Sequence, residues 1–298
     1  MRYAVAHGRR RRGPGGSSAR VGEQAVVALR AGGHEVTEVV AGSLAQARSV
    51  CATLLADGID VLVAVGGDGV VSMAADLCAG TSTAVAILPA GTGNDNARSL
   101  GIERGAGALE VLLADDRRTV DTLHLPELDR HVLSSVTSAL DARISDRANR
   151  WPRILGATTY TLSALVEIAL LRRQPPLNYV LTVDGTPLAL ETLVVVPVNM
   201  PYLGGGLHIC PEADPADGLL DLVVIRPVPP RQAVHLLRAV RAGRLADHSA
   251  VTVTGAREVR IEGPADIVAQ GDGEPLAPLP LTVQVAPSIL QVVAPALT

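Results

Sequence analysis

Two short segments of this 298-residue chain carry the residue types that handle phosphate. One is Val65-Gly66-Gly67-Asp68-Gly69; the other is Leu88-Pro89-Ala90-Gly91-Thr92-Gly93-Asn94-Asp95. Each follows an apolar run of the kind that forms a buried strand. Each pairs an aspartate with glycines, whose missing side chains let the backbone approach an anion. Asp68, at a strand end, is placed to hold a cation or a ribose hydroxyl. Gly-Asp-Gly alone is also an ordinary turn, so the signal lies in two such loops leaving the same end of one sheet. Neither loop has P-loop spacing, and all 26 Lys+Arg residues are Arg. A bound phosphate would therefore be met by backbone N–H groups, arginine and Mg²⁺.

More carboxylates lie downstream. Asp121 follows Arg117-Arg118 at a strand start and, read alone, is a solvated surface carboxylate. The segment from Asp214 to Asp221, read alone, is an ordinary succession of Asp-Pro and Asp-Gly turns. In Asp272-Gly273-Glu274 the two acids are alternate residues, which project to one face if the segment stays extended. Asp-Gly is equally a strong hairpin signal.

The elements that must position these groups fall into two textures. Up to about residue 125, strand and helix signals alternate: Tyr3 to Ala6, helix Val21 to Ala31, strand His34 to Val40, helix Leu44 to Ala56, strand Val61 to Val65, helix Val70 to Ala79, strand Ala84 to Leu88. That is a parallel sheet covered by helices, which binds ligands at the carboxyl ends of its strands. From about Leu133 strand follows strand, at Tyr179 to Val183, Leu193 to Val198, Leu220 to Ile225, Ser249 to Val253, Glu258 to Ile261, Ile267 to Gln270 and Leu281 to Val285. Helices are expected only at Trp151 to Arg173 and Arg231 to Gly243. This is a mostly antiparallel β domain, with a hinge near Leu123 to Arg130 and a cleft between the halves.

Composition narrows the class. With 48% hydrophobic and 19% charged residues, the chain is globular, not disordered. A net charge of −4 argues against an electrostatic nucleic-acid binder. Cys51, Cys78 and Cys210 form no CxxC, so neither a disulfide framework nor a zinc site is suggested. Arg9 to Arg12 run into Gly13-Pro14-Gly15-Gly16 and not into an apolar stretch, so no secretory leader is expected. No uncharged apolar run approaches the roughly 20 residues that span a bilayer, and a soluble protein is expected. The arginine cluster reads as a solvated loop, and the apolar helix at Tyr160 to Leu171 as core.

Together the two loops resemble the catalytic domain of the diacylglycerol kinase family of lipid kinases, whose signatures are GGDG and GTxND. The resemblance continues through Val120-Asp121, Leu140-Asp141-Ala142-Arg143, Pro211 to Asp221 and Asp272-Gly273-Glu274, in the family's order along nearly the whole chain. It implies an α/β plus β fold. Residues 1–126 would form a Rossmann-like three-layer nucleotide-binding domain, and residues 127–298 an antiparallel β-sandwich for the lipid, with the extreme C-terminus free to return to the first domain. By matching position, Gly66, Gly67, Asp68, Gly69, Gly91, Thr92, Gly93, Asn94 and Asp95 would bind ATP. Asp68, Asp95 and Asp121 would organise the catalytic Mg²⁺, partly through water. Asp214, Asp217 and the Leu219 carbonyl would hold a second, structural Mg²⁺. Asp272 or Glu274 would be the general base.

The implied activity is transfer of the ATP γ-phosphate to a hydroxyl of diacylglycerol or a related long-chain lipid. It would take place in the cytoplasm, peripherally at the inner face of the membrane. Expected partners are the lipid, a transient membrane surface and a second copy of the chain, without nucleic acid. The alternatives are a catalytically impaired nucleotide- or lipid-binding protein of the same fold and an NAD kinase. Departures from the family pattern are Val70 for the usual Thr, Asn96 for Phe, Ala139-Leu140 for Gly-Phe, and Ala6-His7-Gly8 where an Asn-Pro motif is expected.

Overall fold

β-Branched, fully buried runs separated by amphipathic segments specify a parallel sheet, and the chain builds one first. The computed structural model describes residues 1–9, 16–139, 144, 147, 163, 166, 167 and 177–295. The chain divides into two units, Met1–Val120 with Ser288–Thr298, and Asp121–Pro287. The first unit runs β1 (Arg2–Gly8), α1 (Gly16–Ala31), β2 (Glu35–Ala41), α2 (Leu44–Ala56), β3 (Val61–Gly66), α3 (Asp68–Cys78), β4 (Ala84–Pro89), α4 (Asp95–Ser99) and α5 (Ala106–Ala114). Its strands are parallel in the order β2-β1-β3-β4. β3 and β4 are buried along their whole length, which is why they read as continuous Val, Leu, Ile and Ala.

Strands β5 (Arg117–Leu125), β6 (Arg130–Val132), β7 (Val136–Ala139), β8 (Leu177–Val183), β9 (Thr186–Thr192), β10 (Val194–Val198), β11 (Tyr202–Leu203), β12 (Leu207–His208) and β13 (Leu220–Ile225) follow. After α6 (Pro230–Arg241) come β14 (Val251–Ala256), β15 (Glu258–Glu262), β16 (Val268–Gly271), β17 (Glu274–Pro278) and β18 (Leu281–Val293). In the second unit one sheet has the order β14-β13-β10-β7-β16-β17, all antiparallel. The other joins β9, β8, β15 and the first part of β18, with β5 and β6 alongside. Leu123, Val136, Val195, Leu222, Val259 and Leu281 are among the side chains that fill the space between them. The alternate residues Val194, Val196, Val198, Val223 and Ile225 face the other way, onto Leu236 and Val240 of α6. Both faces of β10 are therefore covered, so its sequence does not alternate.

The expected α/β domain and antiparallel sandwich are both present. Boundaries differ in instructive places. The strand expected to end at Val285 runs on to Val293, past Pro287 and a left-handed Ser288 (φ 51°), and its last residues pair in parallel with β4 through Val292–Val85 and Val293–Ala86. A proline cannot donate to a ladder and reads as a strand end. The short α4 and α5 were not expected. Arg10 to Arg12, the Leu140–Arg143 motif and nearly all of the helix expected at Trp151 to Arg173 lie outside the described residues. Among the described residues, no helix is long and apolar enough to cross a membrane.

Candidate active site

In the first unit, β3 and β4 lie in register with Gly66 opposite Pro89, so the two glycine loops leave the sheet side by side. The amides of Ala90 and Gly91 donate to the Gly66 carbonyl at 2.8 and 3.1 Å. A side chain on Gly91 would collide with the Gly67 backbone, so this glycine is required by close approach. The Asp68 carboxylate spans the loops: Oδ2 accepts from the Asn94 amide at 2.8 Å and Oδ1 from the Asn96 amide at 3.0 Å. Asp68 thereby satisfies donors at the start of α4 that no residue of that helix can reach.

Asn94 is in the left-handed conformation (φ 57°), and its side-chain amide bonds both the N–H and the C=O of Gly91, at 2.9 and 3.1 Å. Asp95 is buried and pairs with Arg98 at 2.8 Å, while Thr92 is exposed. The cap of α3 is Gly67, which offers no side-chain acceptor, so the first amides of that helix suit an anion. His7 does not replace the missing Asn-Pro motif, for its ring is buried against the Gly8 carbonyl and the Glu38 carboxylate, at 3.0 and 2.9 Å. Val70 lies beneath Gly66.

In the second unit, Asp121 is fully buried, which overturns the reading of an isolated surface carboxylate. Its Oδ2 accepts from the Gly218 amide at 2.8 Å, and its own N–H donates to the Pro215 carbonyl at 2.7 Å. The loop from Asp214 to Asp221 is thus docked on Asp121. Asp214 closes one turn by accepting from Ala216 N–H at 3.0 Å, and Asp217 closes the next by accepting from Leu219 N–H at 2.9 Å. Burial, with Asp217 beside it, holds Asp221 above the usual carboxylate range, the Cys210 thiol opposes this, and Glu212 adds to it. Cys210 itself is pushed up to about 12 by burial and then by Asp221.

Asp272-Gly273 is not extended. The two residues form the tip of the β16–β17 hairpin with φ 49° and 82°, and Gly271 pairs with Glu274 beneath them. Asn, Asp and Gly tolerate such angles, and the hairpin prevents the two acids from sharing a face by simple alternation. The Asp272 carboxylate instead turns onto the segment before β7, accepting from Leu133 N–H at 3.0 Å, Ser134 N–H at 2.8 Å, Ser134 Oγ at 2.5 Å and Ser135 N–H at 3.4 Å. Glu274 is exposed.

One residue of this network escaped the sequence reading. Asn199, buried just after β10, donates its N–H to the Ser134 carbonyl at 2.7 Å and its side-chain amide to the carbonyls of Asp121 and Leu133. A buried asparagine closing an apolar strand is the signal that could have found it, since such a group needs partners. Among the described residues no group of three or more His, Cys, Asp or Glu side chains could hold a metal. The donor set does fit an ion that takes one or two carboxylates and fills its remaining positions with phosphate oxygens and water, as Mg²⁺ does with nucleotides.

An α/β unit with paired glycine–aspartate loops, continued by an antiparallel sandwich, defines the class. Residues 11–125 match the diacylglycerol kinase catalytic domain, and residues 134–294 match the YegS C-terminal NAD kinase beta sandwich-like domain. A diacylglycerol kinase of Mycobacterium tuberculosis is 33% identical over 94% of this chain and 91% of its own length. A "Probable lipid kinase YegS-like" of Pseudomonas aeruginosa is 30% identical over 91% and 89%. The crystal structure of a diacylglycerol kinase from Bacillus anthracis strain Sterne superposes with a TM-score of 0.71, covering 99% of this chain and 96% of that one at 17% identity, a likeness of fold. The chain belongs to the diacylglycerol kinase and YegS-like lipid kinase family.

Proposed function

We propose that the protein is an ATP- and Mg²⁺-dependent lipid kinase that transfers the γ-phosphate to a hydroxyl of diacylglycerol or a related long-chain lipid. The observation that carries this reading is the bonding of Asp68 to the amides of Asn94 and Asn96. It ties the second glycine loop to Asp68 at the glycine-capped start of α3, and backbone donors grouped in this way would suit phosphate. Phosphoryl transfer passes through a loose transition state and needs alignment and charge placement more than covalent help. Mg²⁺, held by Asp95 or Asp121 partly through water, would neutralise charge on the transferred group when bound.

The bonding of the hairpin acids supports different roles for the two. Asp272 spends both oxygens on four donors and positions the hairpin. Glu274 is left to take the proton of the lipid hydroxyl. A lipid acceptor also implies work at a membrane surface.

Incubation with γ-labelled ATP and a panel of long-chain lipids, with mass detection of products, tests the proposal. Label on a lipid hydroxyl supports it, and no product over the panel overturns it. Val70 favours a second reading, because an apolar side chain stands where the family usually offers a hydroxyl to phosphate. Nucleotide binding without turnover would select a non-catalytic binding protein.

A further inference from the structure

Helix α6 carries all its charge on one side. Arg231, His235, Arg238 and Arg241 follow one another at spacings of four, three and three residues and are exposed, while Ala233, Leu236 and Val240 opposite them are buried. Leu236 and Val240 are part of the apolar cluster behind the six-stranded sheet, so the helix is anchored and has no apolar face left to insert elsewhere. From Arg226 to Ala246 the chain has five arginines and no Asp or Glu, in a protein whose net charge is −4. Arg226 is engaged by the Ser249 carbonyl, and Arg244 pairs with Asp247 at 2.8 Å. Arg231 and Arg238 have no carboxylate partner among the described residues.

Helix energetics account for only part of this pattern. Arg238 and Arg241 lie in the last turn, where cations suit the helix dipole. Arg231 lies in the first turn, which contains no acid, and there a positive charge works against the helix. An anionic partner gives that placement a use.

We propose that the Arg231–His235–Arg238 face of α6 docks the protein on an anionic lipid surface. The inference rests on the lipid-kinase reading, since a lipid acceptor brings the protein to a bilayer. Charge complementarity supplies the remainder, each arginine near an anionic leaflet being worth roughly fivefold in partition. Because the apolar side of α6 is buried, the contact is electrostatic and weakens with salt.

The full chain is to be pelleted with phosphatidylcholine vesicles, with and without phosphatidylglycerol. Expected are binding to the mixed vesicles alone, release as salt rises, and a loss of at least about tenfold in Arg231→Glu/Arg238→Glu. Arg231→Gln/Arg238→Gln should shift binding the same way by less, and both variants should phosphorylate detergent-dispersed lipid like the parent. Equal binding by the charge-reversed variant, equal binding to neutral vesicles, or preferential capture by duplex DNA competitor would overturn the proposal. Pelleting needs neither nucleotide nor turnover, so its failure is distinguishable from failure of the kinase assay.

Discussion

The side-chain amide of Asn199 donates to the backbone carbonyl of Asp121 at 2.9 Å. The same amide reaches the Leu133 carbonyl at 3.0 Å, and the Leu133 N–H donates to Asp272. Two acids far apart in the chain are thus held through one buried side chain. Asn199→Leu leaves two carbonyls without this donor and should cost about 2–3 kcal/mol in urea unfolding. In a double-mutant cycle with Asp272→Asn the two losses should fall short of additivity by more than about 0.5 kcal/mol. Strict additivity would show that the network does not act as a unit.

Asp68→Ala removes the acceptor for two amides of the second loop. Labelled phosphate transfer should fall to background, and unfolding free energy should drop by about 2 kcal/mol. Turnover near the parent rate would remove the central support of the kinase assignment.

The hairpin acids should respond differently. Glu274→Gln is expected to lower kcat by at least ~10² with an unchanged unfolding midpoint. Asp272→Asn faces amide hydrogens with one acceptor fewer and should lose about 1–3 kcal/mol of stability. The reverse pattern would exchange their roles.

Glu127 offers a pH test. Burial pushes its carboxyl up, but the Thr282 hydroxyl, its own backbone, the Thr282 amide and Arg260 outweigh burial and hold it below the ordinary range. A depressed folded value stabilises the protein above the unfolded value near ~4.3 and ceases to do so as pH falls through the folded value. Glu127→Gln should therefore melt lower than the parent at pH 7, and the gap should close in acid.

Asn96 is buried, and among the described residues neither its Oδ1 nor its Nδ2 has a hydrogen-bond partner. Replacement by Leu, of similar size, removes two unmet polar groups while keeping the backbone N–H that Asp68 accepts. Thermal melting should move upward by the equivalent of about 1–2 kcal/mol. A lower midpoint would show that the amide is needed.

Much of this architecture was legible because the signals were local. Continuous β-branched runs marked β3 and β4, and glycine next to aspartate at their ends marked the loops. Long-range bonding was not legible. Nothing around Asp121 announces that it is buried beneath Gly218, because that depends on a partner almost a hundred residues away. Asp272-Gly273 carried both a turn signal and an alternation signal, and the left-handed backbone decided between them. Pro287 hid the second half of β18, since a proline inside a strand looks like its end.

That late strand bears on how the molecule is made. Residues 292 and 293 lie beside β4, on the flank not taken by β3. During vectorial synthesis this flank of β4 stays bare while the whole sandwich is being translated, exposing unpaired backbone to neighbouring nascent chains. Truncation just before residue 288 should therefore injure the α/β half of the molecule, although both glycine loops would still be encoded.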